Sequence, residues 1–155
     1  MKIRDHIDMK GRLRLLLFDR AGNPAGQFAS DNDIVLTGRD LVAKQFTGQK
    51  IDPISHLAVG ISNDANEPTA KTSLDKEIFR KPINEVDPEA DIVEANGRMR
   101  VTITTDLDFL EGNGALTEAG LFNAEADGVM YNRVVFPAVN KTEDFKLTLV
   151  WEILF

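Results

Sequence analysis

The chain of 155 residues contains no cysteine, which removes disulfides and zinc–thiolate centres from its chemistry and fits synthesis in a reducing compartment. Histidine is nearly absent too, with two copies, and there is one tryptophan and one tyrosine. Long apolar runs are missing. "LLLF" at 15–18 and "VVFPAV" at 134–139 fall far short of the roughly 20 residues that a membrane-spanning helix requires. The opening "MKIRDHIDMKGR" alternates charged and apolar residues and has no continuous apolar core, so it does not read as a secretory leader. Basic residues are in deficit, 18 against 25 acidic ones, for a formal charge of −7. That balance argues against a phosphate-backbone binder, and neither nucleic acid nor membrane is expected as a partner. Lys76, Arg80 and Lys81 do cluster, but among acidic neighbours they read as a solvated strand end.

What is present is a period of two. Phe145, Leu147, Leu149, Trp151, Ile153 and Phe155 fall on one side of a C-terminal strand, with Lys146, Thr148 and Glu152 on the other. Val150 and Leu154 break that polar side and imply that the second face is itself partly covered. A second long strand runs from about Arg98 to Phe109, with Met99, Val101, Ile103, Leu107 and Phe109 in phase. Asn96-Gly97 before it is the preferred dipeptide of a two-residue type I′ turn, so residues 91–109 form a hairpin. "RLRLLLFD" and "GQFASDNDIVL" flank the turn-rich "RAGNPAG" as another hairpin. "ISHLAVGIS", "EIFRKPI", "GLFNAE" and "GVMYNRVVF" are further strand candidates, and "NEVDPEAD" at 84–91 reads as an exposed acidic loop.

One helix is expected at about 38–47. Thr37 and Asp40 have the spacing of a capping box, Gly48 stands where a C-terminal glycine cap belongs, and Leu41, Val42, Gln45 and Phe46 form its stripe. The expectation is a single mainly β domain over residues 1–155, a two-layer antiparallel β-sandwich with one short α-helix. Residues 1–11 are expected to form a flexible or assembly arm.

A search for chemistry finds little. His6 sits in a weakly patterned segment, and His56 alternates with Ile54, Ala58 and Gly60 as a structural residue would. No serine lies in a glycine-rich elbow. "SNDANEP" and "DLDFLEGNG" supply oxygens without the spacing of a calcium loop, and the glycines of "GRDLVAKQFTGQK" are too far apart to cradle phosphate. "NKT" at 140–142 is a formal glycosylation triplet that carries no weight without a secretory signal. No catalytic, metal or cofactor residues are assigned. One stretch stays odd: in "LTEAGLFN", residues 116–123, Glu118 and Gly120 interrupt what should be an apolar strand.

From "VLTGRDLVAKQFTG" onward the blocks "ISHLAVGIS", "LDKEIFR", "EAGLF", "NR" and "KTEDFKLTLVWEILF" follow one another in a distinctive order. That order resembles a family of bacteriophage tail and fibre-associated domains, also found in phage-like contractile particles. The resemblance runs from Val35 to Phe155. It implies a structural subunit of the virion, made in the host cytoplasm and placed in a tail or collar. Such a subunit would act as a fibre-attachment, collar or baseplate adaptor, beside other tail proteins and in a homo-oligomeric ring, a trimer or hexamer. Many relatives continue into a fibre shaft, whereas this chain ends in its last strand, which favours an adaptor over a receptor-binding tip. Glu118, Gly120, Glu77, Arg80 and Arg133 lie in the resembling blocks. A buried Glu118 would need a partner, for which Arg80 or Arg133 is suited, while Gly120 would permit a bulge or close approach. Trp151 is expected in the core. The alternatives are a carbohydrate-binding host-recognition module, which would need exposed aromatic platforms, and a head-decoration protein.

Overall fold

A computed structural model describes residues 9–66 and 68–155. The elements are β1 (Lys10–Asp19), β2 (Pro24–Asp33), α1 (Leu36–Phe46), β3 (His56–Gly60), β4 (Glu77–Pro82), β5 (Ile92–Ala95), β6 (Arg98–Leu107), β7 (Gly114–Phe122), β8 (Met130–Lys141) and β9 (Phe145–Leu154). They build two antiparallel sheets that pack as a sandwich, a five-stranded one ordered β2-β1-β9-β6-β5 and a four-stranded one ordered β4-β3-β7-β8.

The alternation in β9 decides the centre of the larger sheet. Leu147, Leu149, Trp151 and Ile153 are buried, and Trp151 stands between Leu13 of β1 and Ile103 of β6. The β5–β6 hairpin turns on Asn96 (φ 52°) and Gly97 (φ 77°), the left-handed pair that a type I′ turn requires. β6 stops at Leu107, so Phe109 lies beyond the strand, and Met99 at the other end is exposed. Lys10 and Gly11 already belong to β1, which shortens the expected N-terminal arm; its first eight residues, His6 among them, lie outside the described residues.

The helix differs from its expected form. It starts at Leu36 with Val35 as N-cap, and no side chain caps it. The hydroxyl of Thr37 donates instead to the Met130 carbonyl at 2.6 Å, and Asp40 pairs with Lys44 at 2.6 Å. The capping box does not form because the helix begins before Thr37, which leaves that residue inside the first turn with its hydroxyl turned to β8 rather than back to the free N–H groups. Leu41 is buried, but Phe46 is 91% exposed, so the apolar stripe covers only the first turns. Gly48 does close the helix, with φ 76° and its N–H donating to Gln45. Docking is close enough that a β-carbon on Gly38 would run into the Tyr131 carbonyl. Alanine is the better helix former by about 1 kcal/mol, but here the obstacle is backbone. Gly38→Ala is therefore expected to lower stability by about 1–3 kcal/mol in denaturant titration, as overpacked sites do.

The smaller sheet is covered on both faces. Its inner side packs Leu57, Val59, Leu116, Ala119, Leu121 and Val134 into the main core. Its outer side has a second, smaller core of Val35, Ala58, Leu74, Phe122 and Met130 beneath the β3–β4 connection and the start of the helix. Leu36 N–H donates to Thr69 O at 3.0 Å and joins those two coverings.

Candidate functional site

The odd stretch lies on β7, in the middle of this doubly covered sheet. The register places Gly60 of β3 opposite Glu118, Ala58 opposite Gly120, and Gly120 opposite Arg133 of β8. These residues share the outer face, under the β3–β4 connection. Shifts in the β7–β8 register fall between Leu116 and Glu118 and between Leu121 and Phe122, so the strand bends on either side of the motif.

Glu118 is 0% exposed, and its carboxylate is surrounded by donors. Lys76 N–H donates to Oε1 at 2.7 Å and Asp75 N–H to Oε2 at 3.1 Å. Arg133, itself buried, brings Nε to Oε2 at 2.9 Å and Nη2 to the same oxygen at 2.8 Å. A buried charge left without such partners would cost several kcal/mol. The remaining arm of Arg133 donates from Nη1 to the Asp64 carbonyl at 2.8 Å, and Nη2 stands 3.4 Å from Asp75 Oδ2. Lys71 then joins the Asp64 and Asp75 carboxylates at 3.4 and 3.1 Å. The Asn66 backbone N–H lowers the pKa of Asp64, and the hydrogen bond from Lys71 to Asp75 raises that of Lys71. The whole cluster holds one loop onto one sheet.

Glycine makes room for it. A β-carbon on Gly60 would collide with Glu118 Oε1 and the Lys76 carbonyl, and one on Gly120 would stand 2.9 Å from the Asn132 carbonyl and 3.1 Å from Leu74. The clearance around the carboxylate is thus Gly60's, while Gly120 admits Leu74, so the carboxylate and glycine of "LTEAGLFN" each help seat the β3–β4 connection on the sheet.

Of the two arginines offered as partners for Glu118, Arg133 fills the role and Arg80 does not. The guanidinium of Arg80 is committed elsewhere. Nε and Nη2 donate to Glu77 at 3.0 and 2.6 Å, Nη1 donates to the carbonyls of Ala124 and Asp127 at 3.0 Å each, and the group lies 3.8 Å over the Phe122 ring. Arg80 and Glu77 therefore fix the β7–β8 connection, a second pin on the same sheet. Lys81, the third member of the basic cluster, pairs with Glu111 at 2.8 Å.

Trp151 is fully buried and donates from Nε1 to Asn32 Oδ1 at 3.1 Å. His56 is half-buried, with Nδ1 2.8 Å from Ser55 Oγ. Among the described residues no group of three or more His, Asp or Glu side chains is placed to hold a metal ion, and no helix is long and apolar enough to cross a membrane.

Sequence reasoning missed Lys141, which is 1% exposed at the end of β8. Its ammonium donates to Asp108 O and Asn113 Oδ1 at 2.8 Å each and reaches Phe109 O and Thr142 O at 3.3 Å. It thereby closes the β6–β7 loop. The signal was its phase, two residues after buried Val139 with exposed Asn140 between. Burial pushes the Lys141 pKa down, against the opposing pull of Glu111 and Asp108. In the alkaline window between that lowered value and the ordinary lysine value, the unfolded chain binds more protons than the folded one, so stability rises with pH there. Lys141→Met is expected to abolish that rise in urea titrations. It should also speed amide exchange at Asp108–Asn113, where acceptors lose their donor at about 1–3 kcal/mol.

No family model, curated protein or solved structure matches the chain.

Proposed function

We propose that the protein is a structural subunit of a phage or phage-like tail, acting as a fibre-attachment, collar or baseplate adaptor. The observation that carries an architectural reading over a catalytic one is the saturation of Glu118. Its oxygens accept from two backbone N–H groups and from Nε of Arg133, whose Nη2 stands 2.8 Å away as the ion-pair partner, all within the chain. A general acid or base needs a lone pair or proton directed at a substrate, whereas this carboxylate faces only its own sheet and loop. Arg80 and Lys141 follow the same pattern, each fixing a loop by its carbonyls. The tail assignment itself is supported by the resemblance of the ordered blocks from Val35 to Phe155. Burial of Trp151 removes it as a sugar platform, which weighs for assembly over carbohydrate recognition. On this reading the partners are other tail proteins and further copies of the chain, and the place of action is the virion.

The test is immunogold labelling and mass spectrometry of particles purified from cells that make the protein. Label at the tail or collar is expected. Absence from purified particles overturns the reading, and label confined to the head replaces it with head decoration.

A further inference from the structure

The two sheets are finished differently. The outer face of the smaller one is covered by the helix and the β3–β4 connection, whereas the outer face of the larger one displays a graded surface. Registers of β1, β9 and β6 place Leu16 beside Thr148, Arg14 beside Val150, Arg12 beside Glu152 and Lys10 beside Leu154, with Arg100 on the far side of Leu154. Arg98 follows two residues before Arg100 on the same face. Val150 and Leu154, the residues that broke the polar side of β9, thus lie outward and half-buried, bordered at one end by Lys10, Arg12, Arg14, Arg98 and Arg100.

Among the described residues, carboxylates on this face are fewer. Asp31 pairs with Arg12 at 3.4 Å and Glu152 with Arg14 at 3.3 Å. Among the described residues, the Nε groups of Arg14 and Arg100 are shielded from solvent and meet no acceptor. In a chain of net charge −7 this is a local excess of positive charge.

The complementary surface lies at the edge of the same sheet. The β4–β5 connection, residues 83–91, runs along β6, with Asn84 N–H donating to Thr104 O at 2.9 Å and Thr102 N–H donating to Asp91 O at 2.8 Å. It presents Glu85, Asp87 and Glu89 to solvent. We infer that the outer face of the five-stranded sheet is a self-association surface, on which the acidic β4–β5 connection of a second copy docks against the basic end while Leu16, Val150 and Leu154 are covered. Basic and acidic patches on one sheet make the surface self-complementary, so copies can close into a symmetric assembly. Charge complementarity of this kind fixes register and speeds encounter. The inference rests on the assembly reading and names its first partner, another copy of this chain.

Light scattering at about 10 mM and about 1 M salt, where the Debye length is about 30 Å and 3 Å, measures the mass of the full chain. An oligomer at low salt that weakens at high salt is expected. Arg12→Glu with Arg100→Glu should weaken association at least tenfold, and so should Glu85→Lys with Glu89→Lys. Mixing the two double variants should restore it. Circular dichroism confirms that each is folded, and Arg12→Gln with Arg100→Gln serves if the reversal unfolds the chain. A wild-type monomer at both salts overturns the inference. So does an oligomer that ignores both variants, or one that the mixture fails to restore. Presence in purified particles without self-association would leave the tail reading standing and this inference fallen; self-association through this face without presence in particles would do the reverse.

Discussion

Glu118→Gln is expected to destabilise the protein by about 3–5 kcal/mol, the usual result of removing one member of a buried ion pair. Glutamine keeps the shape of the side chain but removes the charge that faces Arg133, 2.8 Å away, and turns an amide NH2 toward donors. The cost comes from Arg133, left 5% exposed without its counter-charge. Arg133→Met in the same chain should therefore recover part of the loss, and a double-mutant cycle should give a coupling of about 0.5–3 kcal/mol. Arg80→Met, combined with Glu118→Gln, should instead be additive, because Arg80 is engaged by Glu77 and two loop carbonyls. Denaturant unfolding of these variants supplies both cycles. Additivity with Arg133, or equal coupling with Arg80, would count against the pin.

Trp151→Ala should cost about 3–5 kcal/mol by the same measurement, from lost transfer energy and the cavity left in a core that cannot collapse. The ring is 0% exposed and flanked in register by Leu13 and Ile103, two strands whose positions are fixed by their own hydrogen bonds to β9. The substitution also strips the Asn32 side chain of its 3.1 Å donor. A loss below about 1 kcal/mol would be incompatible with burial at the sheet centre and would return the aromatic to play as a ligand platform.

These two residues also mark how far the chain can be read before it is folded. Trp151 was legible because one phase of β9 is apolar without a break from Phe145 to Phe155, whereas the other mixes Val150 and Leu154 with polar residues. The Asn96-Gly97 turn was legible because few dipeptides accept two left-handed residues in succession. For Glu118 the need for a partner was legible, but not the partner. Arg80 and Arg133 lie on strands flanking the β3–β7 pair, and the choice between them is made by the β3–β4 connection, whose Asp75 and Lys76 N–H groups complete the carboxylate's shell. A polar connection has no period, so its folding back over a sheet face leaves no trace in hydrophobic spacing. The helix start failed for a related reason. Thr37 has the local spacing of a cap, but the docked helix begins at Leu36, which puts Thr37 inside the first turn with its hydroxyl donating to β8. Lys141 was hidden by habit: lysine is so rarely buried that its inward phase carried less weight than its identity.

The order of strands in the larger sheet has a consequence for synthesis. β9 lies between β1 and β6, yet it is the last of the described strands to be made. Until it arrives, the β1–β2 and β5–β6 hairpins are separate ribbons, each with a raw inner edge and half of an unfinished hydrophobic surface. Pairings as distant as Lys10 with Leu154 fold slowly because they must close long loops before any contact rewards them. Chains interrupted before Phe145 would accordingly not be smaller sandwiches but adhesive fragments, and insertion of Phe145–Leu154 works as the keystone that converts two open edges into one closed sheet.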